Sequence, residues 1–154
     1  MTNSRAIIVP ASLFDLDEAA ALRGAMALEM GNQWDVRHPG WHSRFAGFWR
    51  EKQSSGSAQT FFAKSGEATA GMAIASITDD YRGAALEELR GYVNGVYVVP
   101  ERRRCGIARD LMVAALDWLR VRKCVVVRLR ASDQGRGLYT SLGFEQGREM
   151  ELSL

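Results

Sequence analysis

The sequence predicts a mixed α/β fold with a central sheet of six to seven strands and helices on both faces. Residues 92–99 and 124–129 are strand-like and flank an amphipathic helical segment, which is typical of two parallel strands. The apolar runs of residues 60–63 and 70–77 are joined by a short polar turn, which predicts an antiparallel hairpin earlier in the chain. At 154 residues, the chain fits a single domain, residues 1–154, with one core.

The first half of the chain predicts a strand and two helices before the hairpin. The apolar run at residues 6–9 stops at Pro10, which favours an edge strand. Apolar residues at three- and four-residue steps predict a helix from Asp15 to a stop at Gly31, and a second helix follows at residues 41–53 after a loop.

The second half predicts a strand that ends at Pro100, a helix at about residues 106–122, a strand, and a short helix at residues 135–141. The unbroken run Val125-Val126-Val127 predicts a parallel strand covered on both faces. Residues 144–154 alternate apolar and polar and predict one or two closing strands. The sheet is therefore expected to be antiparallel early and parallel around the long helix.

Composition argues against several classes of function. The 20 Lys and Arg residues nearly balance the 18 Asp and Glu residues, which disfavours a nucleic-acid or membrane-surface binder. The N-terminal residues lack the apolar run of a signal peptide, and no stretch approaches the roughly 18 apolar residues of a membrane helix. Cys105 and Cys124 have no metal or redox spacing. We expect a cytoplasmic protein with reduced thiols and no bound metal.

The most informative segment is a basic turn between the strand that ends near Val99 and the long helix. Gly106 and Ala108 open that helix, and its first N–H groups are unpaired donors that attract anions. Residues 102–104 are three arginines, which by themselves would favour a solvated turn over a nucleic-acid patch. Together with the small residues, they predict a site for a phosphate-bearing cofactor.

The turn lacks the glycine patterns of a Walker loop or a Rossmann fingerprint. It resembles the acetyl-CoA signature of the GCN5-related N-acetyltransferase (GNAT) superfamily, [Arg/Gln]-x-x-Gly-x-[Gly/Ala], through Arg103, Gly106 and Ala108. Residues 132–144 resemble a second family motif, with Leu-Tyr and Gly-Phe in place but Ser132 and Gly135 where the family commonly has Asn and Ala. The two motifs span residues 93–144, and the other elements follow the family order.

The resemblance implies a GNAT-like fold and an acetyl-CoA-dependent N-acetyltransferase that acts by direct attack in a ternary complex. The acceptor would be an amine of a small molecule or a protein; its identity, the choice between acetyl and a longer acyl group, and homodimer formation stay open. Tyr139, with an ordinary pKa near 10, would be the general acid. The implied cofactor-binding residues are Val96, Tyr97, Val98, Arg103, Arg104, Cys105, Gly106, Ile107, Ala108, Arg109, Ser132 and Tyr139.

The general base is open, because Asn94 lies near the place where many relatives carry a glutamate. The alternatives are ordered waters or one of five carboxylates: Glu29, Asp79, Asp80, Glu87 and Glu88. His38 and His42 are more typical of surface or capping residues. The missing strand glutamate and the altered Ser132 also leave open a CoA-binding module without catalysis.

Five aromatic residues before and within the second helix predict core packing, although the resemblance implies that this region lines the acceptor pocket. They are Trp34, Trp41, Phe45, Phe48 and Trp49.

Overall fold

A computed structural model describes residues 5–79 and 87–154 of the chain. The strands in these residues are β1 (Ile7–Pro10), β2 (Ala58–Ser65), β3 (Ala68–Thr78), β4 (Leu89–Val98) and β5 (Cys124–Leu129). The α-helices are α1 (Leu16–Glu29), α2 (Trp34–Arg37), α3 (Trp41–Ser54), α4 (Ile107–Val121) and α5 (Arg136–Ser141). Short 3₁₀ turns lie at Leu13–Asp15 and Pro100–Arg102.

The strands form a mixed sheet in the order β1-β2-β3-β4-β5. Neighbouring strands are antiparallel from β1 to β4, whereas β4 and β5 are parallel. Helix α4 provides the crossover between the two parallel strands. The predicted change from antiparallel to parallel pairing is confirmed.

The prediction of six to seven strands was wrong, because the described residues form a sheet of five. Residues 145–154 carry no strand, and Met150 is 97% exposed. This tail lies beside β5 through two side-chain ion pairs, Arg128–Glu149 at 3.5 Å and Arg130–Glu151 at 3.0 Å. Alternating sequence was insufficient, because a strand needs a backbone ladder and exposed ion pairs contribute little to fixing one.

The expectation that the valine run of β5 is covered on both faces was also wrong. Val125 and Val126 are 56% and 42% exposed, whereas Val127 packs against the core under α4. The reason is the position of β5 at the end of the strand order, where α4 covers only part of one face and no further strand lies beside it among the described residues.

The core lies on both faces of the sheet. Buried residues of α4, including Leu111 and Leu119, pack on one face. Leu16 of α1 and Ala46 of α3 pack with Phe62 on the other. The predicted helices on both faces are therefore confirmed.

The five aromatic residues divide between core and surface. Trp41 is buried, and Phe45 and Trp49 pack against the core on the α1 and α3 face. Phe48 is exposed. Trp34 begins the short helix α2 inside the expected loop. The centres of the Trp34 and Trp41 rings are 5.0 Å apart.

Gly71 of β3 lies tightly against the backbone of β4. A Cβ atom at this position would lie 2.5 Å from the backbone oxygen of Tyr97. Gly71→Ala is expected to lower the free energy of unfolding by about 1–3 kcal/mol, because backbone must shift to admit the methyl group. Urea denaturation measures this loss.

Gly47 of α3 is the matched control, since a Cβ there meets nothing within 4 Å. Gly47→Ala should raise stability by about 0.5–1 kcal/mol through helix propensity. Equal effects of the two substitutions would contradict the tight contact at Gly71.

Candidate active site

The two parallel strands separate at the end of the sheet where the long helix begins. Their pairing runs from Leu89 opposite Cys124 to Val93 opposite Leu129, whereas β4 continues to Val98. On its other edge, β4 stays paired with β3 as far as Val98 opposite Gly71. Within the described chain, residues 94–98 thus have no ladder partner on the β5 side.

A bulge in β4 lies inside this open stretch. Ile74 pairs with Asn94 and Met72 pairs with Tyr97, so β4 contains one residue more than β3 between these pairs. Gly95 supplies the positive φ of +59° that the extra residue requires. The bulge redirects the backbone of residues 94–98 next to the gap.

Helix α4 begins close to the end of β4. Gly106 is its N-cap in a left-handed conformation, with φ of +78°, which explains the glycine of the signature. A Cβ atom at Gly106 would meet nothing within 4 Å, so there is open space beside the residue that begins the helix. The turn therefore fits the predicted cradle for a phosphate group.

Of the arginines predicted to bind the cofactor, Arg103 and Arg109 are hydrogen-bonded to other protein groups. Arg103 donates from Nη2 to a Glu29 oxygen at 2.7 Å and from Nε to the Val98 carbonyl at 2.9 Å. Arg109 donates to the Ser141 hydroxyl at 2.6 Å, which ties α4 to α5. Arg104 is exposed and has a φ of +60°. Exposed Cys105 lies in the same turn.

Tyr139 of α5 packs in the same core cluster as Val93, Val98 and Ile107, and it is 9% exposed. Burial raises the pKa of its hydroxyl, so this group keeps its proton at neutral pH. A Cβ at Gly135 would lie 2.6 Å from the Tyr139 ring. The glycine that departs from the family motif therefore makes room for the tyrosine.

Ser132, the other departure from the motif, has a structural contact. Its hydroxyl accepts a hydrogen bond from the backbone N–H of Gly135 at 3.1 Å, at the start of α5. The contact fixes the approach to the helix that carries Tyr139.

Glu29, at the end of α1, accepts hydrogen bonds from two side chains. All three residues are candidates from the sequence, but the sequence did not predict that they contact one another. The Tyr97 hydroxyl donates to one carboxylate oxygen at 2.8 Å, and Arg103 occupies the other. The bonds from Arg103 and then Tyr97 lower the pKa of Glu29. Burial and the Glu29 bond raise the pKa of Tyr97 to about 12. Such a carboxylate is a poor proton acceptor at neutral pH.

The other candidate bases lie away from these contacts. Asp79, Glu87 and Glu88 are exposed residues of the connection between β3 and β4, and Asp80 lies outside the described residues. Asn94 is in β4 as expected. His42 stacks on Trp41 and lies 3.7 Å from Asp35, and His38 is exposed.

Arg23 of α1 was not among the predicted site residues. Its guanidinium carbon lies 4.5 Å above the Trp34 ring, and burial lowers its pKa. The Nη1 atom is buried, and no residue within 5–79 and 87–154 forms a hydrogen bond with it. The helical pattern of the sequence gives no signal for Arg23, because Trp34 and the β4 bulge come close to it only in the folded chain.

None of the helices in residues 5–79 and 87–154 is both long and apolar enough to cross a membrane. The same residues contain no group of three or more His, Cys, Asp or Glu side chains that could hold a metal ion.

Comparison with known proteins supports the resemblance found in the motifs. The sequence model described as the acetyltransferase (GNAT) family matches residues 27–144, which is most of the chain. The chain belongs to this acetyltransferase family. A search of curated proteins finds no match.

Solved structures share the fold along almost the whole chain. A predicted acetyltransferase from Clostridium acetobutylicum, solved with acetyl-CoA, is 19% identical with a TM-score of 0.86, and the match covers 96% of each chain. A GCN5-related N-acetyltransferase from Ralstonia eutropha JMP134 is 23% identical with a TM-score of 0.85, covering 97% of this chain and 98% of that one.

A third solved structure is AAC(6')-Iy in complex with a bisubstrate analogue, CoA-S-monomethyl-acetylneamine. It is 21% identical with a TM-score of 0.73, and the match covers 98% of each chain. At these identities, the likeness establishes the fold.

The Glu29 contacts predict a pH-dependent contribution to stability. Glu29→Gln should lower the free energy of unfolding by less than about 1 kcal/mol at neutral pH, because the ion pair is partly exposed. The pKa of Glu29 is lowered from 4.5, so this contribution is full above 4.5 and disappears as the pH falls through the lowered value of the folded state.

Urea denaturation at neutral and acidic pH tests this prediction. Glu67→Gln, in the exposed turn between β2 and β3, is the control. Its free energy of unfolding should equal that of wild type at both pH values. If the difference in free energy of unfolding between wild type and Glu29→Gln persists at acidic pH, the stabilising role assigned to the ionised Glu29 carboxylate is wrong.

Proposed function

We propose that the protein is an acetyl-CoA-dependent N-acetyltransferase that acts by direct attack of an amine in a ternary complex. The observation that carries this proposal is the separation of β4 from β5 after Val93, directly beside the open helix start at Gly106. Unpaired strand backbone suits an extended amide-bearing chain, and helix amides suit a diphosphate. Acetyl-CoA carries both groups in the required order.

The pantetheine arm would add to β4 along the backbone of residues 96–98. Because the Val98 carbonyl already accepts from Arg103, its N–H is the group left to consider for polarising the thioester oxygen. The diphosphate would bind the amides of residues 104–108, with charge from Arg104. Arg103 and Arg109 would contribute mainly by holding the turn and α5 in place, since their guanidinium groups are bound to Glu29 and Ser141.

The chemical step needs a neutral amine, a stabilised oxyanion and a proton for the leaving sulfur. The amine nitrogen forms a bond to the thioester carbon, and the carbon–sulfur bond breaks. Tyr139 gives its proton to the thiolate and recovers one from solvent, while the proton lost by the amine passes to water. The water route is favoured because Glu29, the candidate carboxylate held near the gap, is already bound by two donors.

Tyr139→Phe tests the general acid. The ring packing against Gly135 should survive, because only the hydroxyl is removed. We expect kcat to fall by roughly 10²- to 10⁴-fold while CoA affinity is unchanged. Release of free thiol from acetyl-CoA with a panel of amines measures turnover, and calorimetry measures binding.

Tyr92→Phe is the matched control and should retain activity, since Tyr92 lies where β4 is still paired with β5. Equal activity of Tyr139→Phe and wild type would show that Tyr139 is not the proton donor.

Gly106→Glu tests the phosphate cradle. The carboxylate would fill the open space before α4 and repel the diphosphate, so CoA affinity should fall at least about 100-fold. Gly56→Glu is a close control, because Gly56 has a φ of +80° and equally open surroundings outside the proposed site. A similar loss of affinity in both variants would point to backbone strain and remove support for the cradle.

A CoA-binding module without catalysis is the second candidate, favoured by Asn94 at the place of the common glutamate. The thiol assay separates the two. Binding of CoA without turnover on any amine favours the module, whereas turnover that collapses in Tyr139→Phe favours the enzyme.

A further inference from the structure

Arg23 occupies an unusual position for an arginine. Its guanidinium stacks over Trp34 at 4.5 Å, and its Nη1 is buried with no hydrogen-bond partner among the described residues. Burial opposes the charge and lowers the pKa of the group, but an arginine stays protonated near neutral pH. A buried cationic donor without an acceptor costs stability, and an anionic ligand would supply the missing acceptor.

The location of Arg23 identifies which ligand would meet it. A Cβ atom built at Gly95, the bulge residue of β4, would lie 4.0 Å from the Arg23 Cδ. Arg23 therefore borders the stretch where β4 leaves β5. It belongs to α1, on the opposite face of the sheet from α4, whose first amides form the proposed diphosphate cradle. A group bound by Arg23 thus belongs to the acceptor rather than to the phosphates of CoA.

The neighbouring charges favour a carboxylate over a phosphate. Arg103, which also lies near the end of β4, is neutralised by Glu29 at 2.7 Å. The Arg23 guanidinium carries one positive charge, which balances a single negative charge, and its planar shape matches that of a carboxylate. A phosphate dianion would keep an uncompensated charge in a partly buried place.

We infer that the acceptor is an amine that also carries a carboxylate, and that Arg23, supported by Trp34, binds this carboxylate beside the β4 bulge. This inference rests on the proposed N-acetyltransferase function. It names Arg23 as a determinant of acceptor specificity and an amino acid or similar zwitterion as the substrate class.

The experiment compares matched acceptors in the thiol-release assay. Each of the common amino acids is paired with its carboxamide, 4-aminobutanoate with 4-aminobutanamide, and glucosamine 6-phosphate with glucosamine; spermidine represents cationic amines. We expect at least one carboxylate-bearing amine to exceed its amide by roughly 10- to 100-fold in kcat/KM, as expected for a charged hydrogen bond.

Variants assign that preference to one residue. Arg23→Gln should abolish the ratio between acid and amide mainly through KM, and Arg23→Lys should retain part of it, because a point charge replaces the planar group. Arg120→Gln is the control, since Arg120 is exposed on α4 and pairs with Asp117. It should leave the ratio unchanged.

A stability measurement gives an independent readout. Arg23→Met should unfold at the same temperature as wild type or a higher one, because the unpaired buried donor is removed while contact with Trp34 is kept. A lower unfolding temperature would show a structural role and count against the inference.

Each outcome of the acceptor panel has a distinct meaning. Preference for amides, spermidine or the phosphate sugar, or an acid preference that survives in Arg23→Gln, would overturn the carboxylate site while leaving the transferase intact. Absence of turnover on every amine, with acetyl-CoA bound, would instead contradict the proposed function.

Discussion

The candidate site depends on a mismatch between the two edges of β4. One edge pairs with β3 as far as Val98, whereas the parallel ladder with β5 on the other edge stops at Val93. The bulge at Gly95 turns the intervening backbone, which would otherwise continue the sheet. Backbone donors and acceptors left in this way require partners, and an extended ligand can supply them. The closeness of α4 and Tyr139 matters only because this gap exists.

Charge is distributed around the gap in an ordered manner. Arg103 is bound to Glu29 and Arg109 to Ser141, so both stabilise the walls of the site. Open space lies beside Gly106, the N-cap of α4, on one side of the sheet. On the other side, the buried Nη1 of Arg23 has no hydrogen-bond acceptor in the described part of the chain. The two sides are thus suited to different anionic groups, a cofactor diphosphate and an acceptor carboxylate.

Sequence patterns predicted the parts of the fold that are encoded locally. The strand before Pro100, the glycine that opens α4 and the amphipathic face of that helix depend on neighbours within a few residues. The absence of the expected closing strands was not predictable, because alternation in residues 144–154 does not reveal whether a ladder partner is present. The contacts of Glu29 with Tyr97 and Arg103, and of Arg23 with Trp34, join distant segments and left no periodic signal.

Backbone amide spectra recorded during titration with CoA test the central claim most directly. The account predicts that the amides of residues 96–98 and 104–108 shift together and become protected from hydrogen exchange, while those of β1 and β2 stay unchanged. Binding that perturbs other segments and leaves the end of β4 and the start of α4 unaffected would contradict it.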